Sequence, residues 1–142
     1  MVLFRSTQKH PKDKHNMTRD WSNKKVLIAE DEQTNFLFLE AALEDTGLQI
    51  SHATDGKEAV QLFQQNQTYD VVLMDLKMPF MNGFDATKKI KAINPDTPII
   101  VQTAYAMDFE RERIMATGCD DYITKPIDIE ALLSLLDKWL TY

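Results

Sequence analysis

Val71-Val72-Leu73-Met74-Asp75-Leu76-Lys77-Met78-Pro79, followed by Asn82-Gly83, is the stretch on which the fold of this chain turns. An apolar run that ends on a carboxylate and then meets Pro, Asn and Gly predicts a short buried strand with charge at its carboxyl end. Two other runs end the same way. Val26-Leu27-Ile28-Ala29 stops at Glu30-Asp31, and Tyr122-Ile123 leads into Thr124-Lys125-Pro126. Open α/β sheets place ligand sites beyond the carboxyl ends of their strands, so these charges are expected to converge.

Working outward, strand-like and helix-like patterns alternate five times from Lys25 onward. Residues 31–47 predict a helix with Phe36, Leu39 and Leu43 inward, stopped by Gly47. Residues 49–53 alternate as a strand, and Asp55 caps a helix carrying Ala59, Leu62 and Phe63. After the turn at 78–83, a helix over 84–93 points Ile90 and Ile93 inward and is broken by Asn94-Pro95-Asp96-Thr97-Pro98. Ile99-Ile100-Val101 predicts a buried strand ending at Thr103, and 108–117 a helix stopped by Gly118. The last helix starts at Asp128 and places Ile129, Leu132, Leu133, Leu136 and Leu140 on one face. Such alternation implies an α/β fold with parallel strands, right-handed crossovers and helices on both faces of the sheet.

The chain has 142 residues, 44% of them hydrophobic, which is enough for one sizeable core and hardly for two. Residues 1–25 carry seven Lys/Arg against Asp13 and Asp20, whereas the rest carries nine against twenty acidic residues. The acidic body argues against nucleic-acid binding by the domain itself. Residues 1–24 read as a flexible basic tail or linker, and 25–142 as the domain. Neither a membrane span nor a signal peptide is recognisable, so a cytoplasmic location is expected. The single cysteine, Cys119, cannot form an internal disulfide and reads as a small core filler. His10 and His15 lack the spacing of a metal site, and Trp139 and Tyr142 read as packing residues.

Each charged residue has an ordinary structural explanation when taken alone. Glu30-Asp31 would be solvated turn residues, Asp75 a cap, Thr103 a β-branched strand terminus and Lys125 a surface charge before a helix. Jointly they point elsewhere. Three clustered acids repel one another and invite a divalent cation with oxygen ligands, while a nearby lysine suits a phosphate-like group.

Taken in order, Glu30-Asp31, Met74-Asp75-Leu76-Lys77-Met78-Pro79 with Asn82-Gly83, Thr103-Ala104 and Lys125-Pro126 resemble the motifs of the receiver domains of two-component response regulators. The resemblance covers about residues 25–141, with 44 positions from Asp31 to Asp75 and 22 from Thr103 to Lys125. It implies a flavodoxin-like (βα)5 fold whose five-stranded sheet has the order 2-1-3-4-5. It also implies a phosphoacceptor that takes a phosphoryl group on Asp75 from a histidine kinase or histidine phosphotransfer protein. Mg²⁺ would be held by Asp31, Asp75 and the backbone carbonyl of Lys77, with Glu30 on a metal-bound water. Lys125 and Thr103 would bind phosphoryl oxygens, and Ala104 would leave Asp75 accessible. Thr103 and Tyr122 would form the switch, and Lys77 and Tyr105 would tune the phosphoryl lifetime by screening water.

Finer features, namely Asn35 after Asp31, Asp85-Ala86-Thr87, and Gly118-Cys119-Asp120-Asp121-Tyr122, resemble receivers attached to hybrid sensor histidine kinases. The expectation is a signalling domain with slow self-dephosphorylation, not an enzyme with turnover. It would be a free-standing receiver or a piece of a hybrid kinase, monomeric or weakly dimeric, without a DNA-binding domain in this chain. A downstream partner would bind the face made by helix 4, strand 5 and helix 5. The alternatives are an aspartyl-phosphate phosphatase of the haloacid-dehalogenase type and a flavin-binding module. The first normally has a second Asp two residues after its nucleophile, where this chain has Lys77. The second would set the cofactor phosphate against three acids.

Overall fold

A computed structural model of the chain describes residues 19–66, 68–104 and 108–141. The basic residues before Arg19, together with Tyr105 and Tyr142, lie outside the described residues. Five strands, β1 (Lys25–Ala29), β2 (Gln49–Ala53), β3 (Val71–Asp75), β4 (Ile99–Thr103) and β5 (Asp121–Thr124), alternate with five helices. The helices are α1 (Gln33–Leu43), α2 (Gly56–Gln65), α3 (Gly83–Ile93), α4 (Asp108–Ala116) and α5 (Ile129–Leu140). All strand pairs are parallel, in the order β2-β1-β3-β4-β5.

Both faces of the sheet are covered, which is why β3 and β4 are buried at every position instead of alternating. Leu27, Val72, Met74 and Val101 pack beneath α2, α3 and α4, against Phe63, Ile90 and Ile114. Ile28, Leu73 and Ile100 pack on the opposite face against Leu39 of α1 and Leu132 of α5.

Local signals act largely where the sequence places them. Asp55 accepts from the Glu58 N–H at 2.8 Å, Asn82 from Asp85 at 2.9 Å and Asp128 from Ala131 at 2.9 Å, each satisfying a donor that the first helical turn leaves open. The first helix is shorter than its apolar pattern implies. It starts at Gln33, because Glu30 and Asp31 belong to the loop beyond β1, and after Leu43 it tightens into a 3-10 turn over Glu44–Thr46. Gly47 then takes φ +77°, the left-handed conformation that ends the turn. Ile129 departs from expectation. Placed on the inward face by its spacing, it stays 38% exposed because it opens α5 a turn before the buried Leu132 and Leu133.

Two residues of the basic segment pack on the domain. Trp21 is 4% exposed among the side chains of the α1–α5 face, and its N–H donates to the Thr46 carbonyl at 2.7 Å. Arg19 is also buried, with Nε 3.4 Å from Asp137 of α5. Both residues thus make contacts with the domain although they precede residue 25.

Candidate functional site

The carboxyl ends of β1, β3, β4 and β5 lie side by side, and the turns leaving them carry the site. Strand β3 ends on Asp75, which pairs in register with Gln102, while Thr103 pairs with Thr124 just before Lys125. Lys125 is tied to β4 by its own N–H, which donates to the Thr103 carbonyl at 2.7 Å. The Lys125–Pro126 peptide is cis.

Carboxylate oxygens of Glu30, Asp31 and Asp75 all lie within 4.8 Å of one another. Glu30 is fully buried and Asp75 nearly so, whereas Asp31 is exposed. The Lys125 ammonium bridges the two buried acids, 3.2 Å from Asp75 Oδ2 and 3.4 Å from Glu30 Oε1. Glu30 also accepts from the Glu32 N–H at 3.2 Å, and the Lys77 N–H points at Asp75 Oδ1 at 3.4 Å.

The crowding of these acids registers at Glu30. Burial first, and then the Asp75 charge, push its carboxyl from an ordinary value near 4.5 up to about 7. Burial alone would lower the Lys125 pKa, but the Asp75 and Glu30 charges outweigh it and raise the value. An all-oxygen donor set of three carboxylates, open on the Asp31 side, fits a hard divalent cation.

The loop after β3 is held close to the carboxylate. The Gly83 N–H donates to the Leu76 carbonyl at 2.9 Å, and a Cβ on Gly83 would fall 2.1 Å from the Asp75 carbonyl oxygen. On the other side the Gly56 N–H donates to the Met81 carbonyl at 3.0 Å. Between them Phe80 takes φ +65° and stands 89% exposed.

A cleft of about 410 Å³ opens over this region, with Asp75, Lys77, Thr103, Ala104 and Lys125 in its lining. The residues expected for phosphoryl binding thus share one cleft with Asp75. Tyr122 does not line it; it is half-buried and packs on the α2–α3–α4 side of the sheet. Tyr105 is not among the described residues.

Sequence reasoning missed Arg113, which also lines the cleft and sits with its guanidinium 4.3 Å from the centre of the Phe84 ring. Glu110, three residues earlier, has a side chain only 15% exposed and lies 3.5 Å from Arg113. The signal available in sequence was the i, i+3 spacing of Glu110 and Arg113. No helix among the described residues is long and apolar enough to cross a membrane.

Comparison with known proteins agrees with this geometry. The sequence matches the response regulator receiver domain family over residues 26–137. It is 38% identical over 120 residues to the sensor protein GacS of Pseudomonas syringae pv. syringae, an alignment covering 81% of this chain. The chain spans only 13% of that sensor's length. Among solved structures, it is similar to the receiver domain of the sensor histidine kinase PA1611 from Pseudomonas aeruginosa, with a TM-score of 0.77 and 33% identity. The match covers 84% of this chain and 98% of that one, which has a magnesium ion coordinated in its active-site cleft. It is also similar to the Saccharomyces cerevisiae Ssk1 receiver crystallised with the histidine phosphotransfer protein Ypd1, with a TM-score of 0.78 and 26% identity, over 83% of this chain and 89% of that one.

Proposed function

This chain belongs to the response regulator receiver family of two-component signalling, and we propose that it accepts a phosphoryl group on Asp75 from a phosphohistidine. The observation that carries this reading is the Lys125 bridge between Asp75 and Glu30 inside a cluster of three carboxylates. A carboxylate oxygen of Asp75 attacks phosphorus, the new P–O bond forms as the P–N bond of the donor breaks, and the imidazole nitrogen keeps the electron pair. Lys125 moves its contact from the carboxylates to a phosphoryl oxygen, and the Thr103 hydroxyl donates to another. The small Ala104 side chain leaves the approach open.

Asp31, Asp75 and the Lys77 carbonyl would hold Mg²⁺, with Glu30 behind them. Bound there, the ion would offset the charge of the carboxylates and of the incoming phosphoryl group. Lys77 and Tyr105 would slow hydrolysis, so the domain would hold its phosphoryl group and not turn substrate over.

The donor would be a histidine kinase or histidine phosphotransfer protein, as the pairing of the Ssk1 receiver with Ypd1 supports. The output surface would be the α4–β5–α5 face, and the compartment the cytoplasm. Residues 1–24 would be the end of a linker from a preceding kinase module, anchored by Arg19 and Trp21, a reading supported by the similarity to a sensor of which this chain spans a small part.

Incubation with acetyl phosphate and Mg²⁺ tests the reading. The chain is expected to gain one phosphoryl group by intact mass, and Asp75→Asn to gain none. Stoichiometric labelling of Asp75→Asn would overturn the assignment, and continuous release of phosphate over many turnovers would point to a phosphatase.

A further inference from the structure

Arg113 of α4 borders the phosphoacceptor region, yet the transfer described above makes no use of it. It lines the cleft of about 410 Å³ that holds Asp75, Thr103 and Lys125, and also a cleft of about 460 Å³ on the Asp31 side. Phe84, whose ring centre is 4.3 Å from the guanidinium, lines both clefts as well. Arg113 therefore stands at the wall that the two clefts share.

Its ordinary explanation is that it covers Phe84 and pairs with Glu110. Neither contact commits it firmly. The side chain is 62% exposed and the ion pair is long at 3.5 Å, an arrangement worth little in water. Lys125, by contrast, is held between Asp75 and Glu30 at 3.2 and 3.4 Å.

The direction of transfer decides what arrives beside the guanidinium. In an in-line displacement the attacking and leaving atoms lie on opposite sides of phosphorus. Asp75 is nearly buried, so with its oxygen as nucleophile the leaving group points outward, to the exposed side on which Arg113 stands. An acyl phosphate expels a carboxylate, whereas a phosphorus–nitrogen donor expels a base that needs a proton. A guanidinium fork matches a carboxylate and has no proton to give.

We propose that Arg113 favours acyl phosphates among small phosphodonors by pairing with the carboxylate that leaves. The Asp75 oxygen bonds to phosphorus as the bond from phosphorus to the acyl oxygen breaks. That oxygen keeps the electron pair, and the carboxylate so formed lies against the guanidinium. The inference rests on Asp75 as the phosphoacceptor.

The test labels the full-length chain with acetyl phosphate and, separately, with phosphoramidate, at fixed Mg²⁺ and ionic strength, and follows intact mass. Arg113→Gln is expected to lower the ratio of the acetyl phosphate rate to the phosphoramidate rate by about threefold to fivefold, the upper range for an exposed charge pair. Arg111→Gln removes the same charge from an exposed position that lines neither cleft, and should keep the parent ratio. A purely structural arginine would slow both donors alike. Arg113→Met, whose straight stem still covers Phe84, is read in the same way should the first variant fail to fold. An unchanged ratio in a folded Arg113 variant, or an equal fall in Arg111→Gln, would overturn the proposal while leaving Asp75 as the acceptor. No labelling of the parent by either donor would overturn both.

Discussion

Glu30 concentrates the electrostatics of the site in one residue. Its carboxyl is pushed up to about 7 in the folded protein, first by burial and then by Asp75. In the metal-free protein the folded state therefore holds a proton that the unfolded state has released. This contribution is fully present below about pH 4.5 and is lost as pH rises through about 7. Metal-free stability should fall across that window by on the order of 1–3 kcal/mol from this group, and Glu30→Gln should flatten the slope. Urea unfolding in EDTA at both ends of the window checks it; equal slopes in parent and variant would refute the assignment, and Mg²⁺ should restore the parent at the alkaline end. Gly83 bears on the same site through space. A methyl there would meet the Asp75 carbonyl at 2.1 Å, so Gly83→Ala must push back either the end of β3 or the start of α3. Loss of at least about 1 kcal/mol in stability is expected, with slower labelling by acetyl phosphate. Unchanged labelling and stability would show that the loop yields freely. At this scale the charged site was legible because each residue interrupts an apolar run. Gln102 was not, since a polar residue beside Thr103 reads as part of the strand end and nothing in sequence says that its amide lacks a partner.

Elements were legible where an apolar period and a cap agree. Strand β3 announces itself as a run bounded by Asp75, and α5 carries four buried leucines behind the Asp128 cap. The contacts of Arg19 and Trp21 were not legible because they are single residues in a basic context. Trp21 has no periodic partner in sequence; its partner is the Thr46 turn, brought near only when β2 pairs with β1. Trp21→Ala should destabilise the domain by about 3–5 kcal/mol, as truncation of a buried aromatic does elsewhere. Chemical denaturation of full-length parent and variant checks this, and a change below about 1 kcal/mol would mean that the contact forms without holding the fold. The helices also differ in what their described side chains bury. Among the described side chains of α4 only Ile114 is buried, against Leu132, Leu133, Leu136 and Leu140 in α5.

Across the whole molecule, α4 borders both the cleft over Asp75 and the α4–β5–α5 face. Arg113 of α4 lines the same cleft as Asp75 while covering Phe84 of α3, and Glu110 lies beside it. The backbones of Thr103 and Lys125 are joined at 2.7 Å, so a group that pulls on both side chains acts on β4 and β5 together. Tyr122, half-buried three residues before Lys125, packs on the cluster that contains Ile114. A bound group shifts an equilibrium only by its differential interaction with the two states. Here that difference would be the Lys125 and Thr103 bonds to phosphoryl oxygens, about 1.5–3 kcal/mol each for charge-assisted bonds before desolvation. Beryllofluoride, which mimics the phosphoryl group, should therefore move NMR resonances from Asp75 through α4 to Tyr122. Thr103→Ala should leave the shifts near Asp75 and diminish those in α4 and β5, because it removes one of the two pulls without touching the carboxylates. Shifts confined to the cleft in the parent protein would mean that the charge at Asp75 is absorbed locally and that the α4–β5–α5 face is not its output.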